Sequence, residues 1–255
     1  MKRKINDYYF VLKELVGREI KRKYARSYLG IIWSVLSPLL MMVVLSLIFS
    51  QIFKRSIENF PVYFLTGYML WQLFTESTNS AMTALVDNKL LLIKVKTPKQ
   101  ILTLSRVFTA LANFLYSLIA FVLILMVFRI RPSFAILAFP FVVALLLLFC
   151  IGIGYMLSIA YAYFGDVRHL YSVLLTLWMY MSALFYPVEI LPDYMQRVVA
   201  LNPIYAYIEA ARECILYHGF PDIVMWMKML LWGIGIFITG LAVFSRNENR
   251  IMQRL

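Results

Sequence analysis

The sequence predicts an all-α membrane protein with six transmembrane helices, an N-terminal amphipathic interfacial helix and short re-entrant external helices between spans five and six. Three observations carry this. Of the 255 residues 62% are hydrophobic and only 15% charged, more apolar surface than a soluble fold of this length can hide. The apolar residues gather into runs of the roughly 20 residues that a helix needs to cross about 30 Å of hydrocarbon. The excess of basic residues, a net charge of +12, is distributed by side rather than at random. Nine of the 25 Lys and Arg (Lys2, Arg3, Lys4, Lys13, Arg18, Lys21, Arg22, Lys23, Arg26) precede the first span. With Lys89, Lys94, Lys96, Lys99, Arg106, Arg168, Arg246, Arg250 and Arg254 they make 18 on one side against 7 on the other. The positive-inside rule then puts both termini in the cytoplasm of a multi-pass protein of the cell inner or plasma membrane. Anionic lipid accounts for these charges, so no nucleic acid is expected as a partner.

Residues 1–32 read as a cytoplasmic interfacial unit and 33–255 as one six-span domain. From Ile5 to Tyr28 apolar residues recur at helical spacing, with Lys13, Arg18, Lys21 and Arg22 on the other face, the pattern of a helix lying in the headgroup plane. Gly30 marks the bend into the first span, at about 33–53. The second, about 61–86, carries Gln72, Glu76, Asn79 and Thr83 on one stripe, which lipid cannot face cheaply. The third and fourth run at about 101–128 and 134–163, joined by a turn over Arg129–Ser133. The charged turn Gly165–His169 precedes the fifth, at about 170–186, which Pro187 breaks. A stretch from Pro187 to Asp222 then holds amphipathic pieces at Asp193–Leu201 and Tyr205–Tyr217. The sixth span covers about 224–244, ahead of a basic tail from Arg246 to Leu255. No cleavable signal peptide is expected, since the first 30 residues lack an apolar core. Cys150 in an apolar run and Cys214 in an external loop form neither a disulfide framework nor a metal spacing.

Arg18-Glu19-Ile20-Lys21-Arg22-Lys23-Tyr24, then Ser27-Tyr28-Leu29-Gly30-Ile31-Ile32-Trp33 and Ser37-Pro38-Leu39, resemble the opening of the membrane subunit of polysaccharide-exporting ABC transporters. The resemblance continues through Asn88–Val95 with Pro98, Tyr163–His169, Tyr186-Pro187-Val188 and Leu201-Asn202-Pro203. Thr97 and Gly165 depart from it, standing where phenylalanine and arginine are common. The resemblance implies a homodimer of six-span subunits working with two separate ABC ATPase subunits. It implies a cargo that is a long, often polyprenyl-linked glycan such as O-antigen, capsule or teichoic acid. The chain has no G-x-x-x-x-G-K-[ST] phosphate loop, so no cofactor is expected on it, and ATP and Mg belong to the partner ATPase.

The expected sites follow, with no catalytic residue and no metal ligand among them. The ATPase-coupling interface is Asn88, Lys89, Ile93, Lys94, Val95, Lys96 and Pro98, where Lys alternates with apolar residues as in a short helix pressed into a partner's groove. Asp166 and Arg168 join it, although a charged turn between two spans is also expected on topology alone. A translocation path or gate takes Trp33, Tyr68, Trp71, Gln72, Glu76 and Asn79 from the first two spans, and Trp178, Tyr180, Phe185 and Tyr186 from the fifth. Flat aromatic faces stack on sugars, and an interfacial aromatic belt explains the outer members equally well. Glu76 reads as a channel wall or gate contact, as a carboxylate bonded within the subunit, or as one hydrated near the cytoplasmic surface; a proton relay is disfavoured because no second buried acid accompanies it. Uptake of lipid and substrate falls to Arg18, Lys21, Arg22, Lys23, Tyr24 and Arg26. Glu209, Arg212 and Glu213 read as a salt-bridged surface face. Two alternatives stand beside export of a glycan: export of a small hydrophobic compound, and a membrane-bound enzyme of polyprenyl glycans.

Overall fold

The computed structural model describes residues 2–25, 30–52, 57, 59–94 and 98–251, and these are helical apart from short connections. Helix α1 covers Lys2–Tyr24, α2 Ile32–Ile52, α3 Phe60–Asp87, α4 Lys89–Lys94 and α5 Gln100–Val127. A 3-10 turn, Phe134–Ala138, leads into α6, Phe139–Tyr163; α7 is Val167–Tyr180, α8 Asp193–Leu201, α9 Pro203–Ile215 and α10 Ile223–Ile251. Among the described residues there is no strand.

Four helical stretches are long and apolar enough to cross a membrane: Ile32–Phe49, Gln100–Val127, Phe134–Tyr163 and Ile223–Glu248. Helix α3, with 28 residues, rises about 42 Å and has the length of a span, while its polar stripe keeps it below that apolarity. It packs against α2, α5, α6 and α9. Phe64, Leu70 and Phe74 on it are fully buried, so α3 is the axis of the core and lipid is kept from most of its surface.

Helix α7 is shorter than the sequence predicts. Its 14 residues rise about 21 Å, short of the hydrocarbon thickness, and it ends at Tyr180 rather than at Pro187. The cause lies in α8 and α9. The Asn202 Nδ2 amide donates to Met181 O and Ser182 Oγ, both at 3.0 Å, and Arg212 Nη2 donates to Ala183 O at 3.1 Å. Ala183 takes a left-handed φ of 48°. Carbonyls that would continue the helix are drawn to these side chains instead.

Helix α9, expected as a re-entrant or interfacial external helix, lies within the bundle. It is enclosed by α3, α6 and α10, with Tyr207, Ile208, Ala210 and Ala211 fully buried. Arg212 is therefore not on a surface face: it is 0% exposed, its guanidinium 3.5 Å from the centre of the Tyr63 ring, with Glu209 at 3.6 Å. Cys214 is likewise buried in α9. Helix α10 runs to Ile251, seven residues beyond the expected end of the last span at 244.

The closest helix pair is α6 with α10. A Cβ placed on Gly152 or Gly240 would collide with the backbone of the facing helix, at Ile236 and Gly152 respectively. Helices in lipid gain no hydrophobic drive towards each other, so backbone approach at small residues is what packs them. Gly152→Ala is expected to cost about 1–3 kcal/mol by overpacking, read as a lowered melting temperature in detergent. Gly235→Ala, with open space around its Cα, should leave melting unchanged or raise it, because alanine is worth up to about 1 kcal/mol over glycine inside a helix.

Candidate functional site: an ion-paired cleft at the end of the bundle

Helix α1 is held on α3 and α5 by buried charge. Glu19, 4% exposed, accepts from Arg106 Nη1 of α5 at 2.7 Å and from Arg18 Nη2 at 3.1 Å, with Arg22 Nη2 at 3.1 Å from its second oxygen. Arg106 Nη2 donates in turn to Asp87 of α3 at 3.0 Å. Arg18 Nη2 donates to Asn88 Oδ1 at 2.6 Å, and the Asn88 amide donates to Ala84 O at 2.8 Å. Asn88 is the joint between α3 and α4, and its carbonyl accepts from Leu91 N and Leu92 N of α4. A carboxylate withdrawn from water is tolerable only when paired and hydrogen-bonded throughout, and three guanidiniums supply that here. Arg18, Arg22 and Arg106 against Glu19 and Asp87 leave one positive charge in excess (3 − 2 = 1).

One turn further along α1 the pattern repeats. Lys23 Nζ and Asn113 Nδ2 both donate to Glu76 Oε1 at 2.5 Å, and Tyr24 OH donates to Asn113 Oδ1 at 2.9 Å. Ser117 Oγ donates to Ser34 O at 2.7 Å, which fastens the start of α2. Two cavities flank the Lys23–Glu76 pair. One, of about 210 Å³, is lined by Lys23, Tyr24, Trp33, Gln72, Glu76 and Asn113 among others. The second, of about 290 Å³, is lined by Glu19, Arg22, Lys23, Glu76, Ser80 and Arg106. Together they form a cleft with amide, indole, phenol and ammonium donors on its walls, a surface suited to hydroxyl-rich and anionic groups.

Of the expected path residues, Trp33, Gln72 and Glu76 meet in this cleft. Tyr68 lies one turn beyond Gln72 on the same face of α3 and begins an aromatic cluster. It stacks on Phe64 at 5.1 Å, and Phe64 on Phe185 at 5.8 Å, while Tyr180 is 6.0 Å from Phe185. Tyr186 OH donates to Tyr180 O at 2.6 Å. The other three stand apart: Trp71 is buried in the core beside Phe74, Trp178 is half-buried and donates to Asn202 Oδ1 at 2.7 Å, and Asn79 is exposed.

The expected coupling residues divide similarly. Asn88 is buried as the joint, Lys89 is exposed, and Ile93 is exposed on α4 together with Leu90. Lys94 ends α4, Val95 and Lys96 lie outside the described residues, and Pro98 is half-buried. Asp166 and Arg168 are exposed in the turn before α7, at the same end of the bundle, since α5 and α6 run antiparallel. Of the expected uptake residues, Arg18, Arg22, Lys23 and Tyr24 are committed to the network above, Lys21 is exposed and Arg26 lies outside the described residues.

Reasoning from sequence missed Glu19, Arg106 and Asn113. The signal is present: Arg106, Asn113 and Ser117 are spaced by seven and four residues in an otherwise apolar run, one polar stripe on a helix face and the partner of the stripe on α3. Arg106→Gln is expected to cost about 3–5 kcal/mol by leaving Glu19 buried without its nearest partner, and Glu19→Gln added to it should recover most of the loss. Arg22→Gln, with that side chain 58% exposed, should cost under about 1 kcal/mol. Thermal unfolding of the three variants checks the order.

Residues 11–216 match the family model described as ABC-2 type transporter. The chain is 32% identical over 249 residues to the O-antigen export system permease protein RfbA of Myxococcus xanthus, covering 96% of each. It is 24% identical over 256 residues to the protein of the same name from Klebsiella pneumoniae, covering 100% of this chain and 98% of that one. To the polysialic acid transport protein KpsM of Escherichia coli it is 23% identical over 246 residues, 94% and 95% of the two.

Proposed function

Because the chain belongs to the ABC-2 type transporter family, we propose that it is the membrane subunit of an ABC exporter that carries a polysaccharide, in polyprenyl-linked form, across the inner or plasma membrane. The observation that carries this reading is its end-to-end likeness to a permease named for O-antigen export, with 96% of each chain aligned. The geometry adds a reason. A cleft walled by Lys23, Tyr24, Trp33, Gln72, Glu76 and Asn113 offers sugar hydroxyls amides and aromatic faces and, once the Lys23–Glu76 pair opens, offers the phosphate of a lipid-linked glycan a cation.

In this reading two copies of the chain cross the membrane six times each, with α3, and α7 together with the irregular segment 181–190 that follows it, completing the set, and both termini are cytoplasmic. ATP is hydrolysed on two separate ABC subunits. These press on α4, whose Leu90 and Ile93 are 71% and 65% exposed while Leu92 is buried, an amphipathic face suited to a groove on a partner. Arg18 and Asn88 pass that push to α1, and movement of α1 opens the Lys23–Glu76 pair. The glycan then follows the face of α3 from Glu76 and Gln72 to Tyr68, about 12 Å along the helix, towards the aromatic cluster at Phe185.

Two tests follow. Leu90→Ser with Ile93→Ser should abolish co-purification of the ATPase subunit and leave the melting temperature of the chain intact; undiminished co-purification contradicts the docking role of α4. Glu76→Leu should lower surface glycan at least about tenfold while the complex still assembles, tenfold being about 1.4 kcal/mol of lost coupling. Unchanged export would remove Glu76 from the path.

A further inference from the structure

At the end of the bundle opposite α4, the loops that close α5 and α9 meet the start of α3 around a cavity of about 500 Å³. We infer that this cavity binds a phosphate group carried on an apolar chain, held between Arg129 and Arg131 of the α5–α6 connection and His218 of the α9–α10 connection. Its polar lining is basic or neutral: Arg129, Arg131, His218, Asn59 and the phenols of Tyr63 and Tyr217. Its remaining wall is apolar, from Ile57, Phe128, Ile130 and Leu216. Among the described residues no carboxylate lines it. Glu209 is held at 3.6 Å from Arg212, Glu213 lies beside Gly219, and Glu189 sits on the exposed turn before α8.

The backbone at both loops argues that the basic side chains are there for a purpose. Helix α5 ends with Ile130 N donating to Leu125 O and Arg129 N to Met126 O, the paired bonds of a helix terminus whose next residue turns left-handed. Glycine is the default there, yet this position is Arg129, at φ 55°. His218 closes the α9 end at φ 57°, and Ser133 Oγ donates to its carbonyl at 3.4 Å, joining the two loops. Two non-glycine residues in a costly conformation border one cavity, and both are basic. The attraction of basic residues for helix C-termini accounts for Arg129 at the end of α5 and for His218 at the end of α9. It leaves Arg131 unexplained.

Charge distribution points the same way. The connections 53–59 and 128–133 contain Lys54, Arg55, Arg129 and Arg131 against Glu58, a net of +3 (4 − 1). They hold four of the seven basic residues that lie against the topological bias of the chain. Neither Arg129 nor Arg131 makes an ion pair among the described residues. Two guanidiniums two residues apart offer the forked donors that grip phosphate oxygens, and the apolar wall at the level of the helix ends suits the first carbons of a lipid tail. The ligand is either the headgroup of an anionic phospholipid or the phosphate end of a prenyl carrier, which share this chemistry.

The test is native mass spectrometry of the purified complex in mild detergent, titrated separately with phosphatidylglycerol, a polyprenyl phosphate and zwitterionic phosphatidylcholine. The wild type should retain one anionic probe per chain over phosphatidylcholine, and the tighter of the two identifies the source. Arg129→Asn, which suits a left-handed backbone, combined with Arg131→Gln should weaken that binding about tenfold or more, as expected when charge-assisted bonds are lost. Arg129→Lys with Arg131→Lys should keep most of it, and displacement of the probe from the wild type by inorganic phosphate checks the site without any substitution. Equal retention of all three lipids by the wild type, or equal retention of the anionic probe by the wild type and the charge-removed variant, overturns the inference.

Discussion

Glu19, a carboxylate 4% exposed beneath the first helix, is held only by arginines, and the nearest of them, Arg106, belongs to an apolar helix 87 residues later. Apolar contact of Leu15, Val11 and Leu12 with the core also holds α1, but such contact is non-directional, and it is the pairing that fixes where along α3 and α5 the helix sits. With it, α1, the end of α3, the joint into α4 and the start of α5 form one body. Buried ion pairs are weak sources of stability, because desolvation consumes most of the Coulomb gain. What such a network confers is register: Lys23 reaches Glu76 and Tyr24 reaches Asn113 only with Glu19 seated.

The membrane imposes the second constraint. Where no water can satisfy a backbone or polar group, the chain must satisfy it internally. Arg212 shows how this shapes the fold. Its burial beside Tyr63 draws the carbonyls of Ala183 and Leu184, stops α7 short and sets the irregular segment that brings Phe185 to the aromatic cluster. On α3, Glu76 and Asp87 are handled the same way, met by Asn113 and Arg106 of α5.

Much of this was legible in the sequence, and what was not has a physical explanation. Apolar runs and basic placement gave the all-α membrane class, and the residues around Arg18–Tyr24 and Asn88–Pro98 led to the family to which the chain belongs. Trp33, Gln72 and Glu76 were legible as one site because a charged residue inside a span marks itself. Arg212 was misread because spacing along a helix shows which residues share a face and says nothing of what covers that face. Glu19 was hidden for a related reason: among Arg18, Lys21, Arg22 and Lys23 a single acid reads as part of a solvated helix. The end of α7 was placed at Pro187, the local breaker, whereas the helix is stopped by side chains more than 20 residues away.

If this chain forms the membrane path of an ATP-driven glycan exporter, transport can be rebuilt from purified parts. The chain is co-purified with whatever ATPase it retains from its native membrane, placed in proteoliposomes with a lipid-linked glycan, and supplied with ATP on the side of α4. Stoichiometric ATPase subunits and ATP-dependent appearance of glycan on the opposite side are expected. A chain that purifies alone, or a complex that hydrolyses ATP and moves no glycan, would contradict that role.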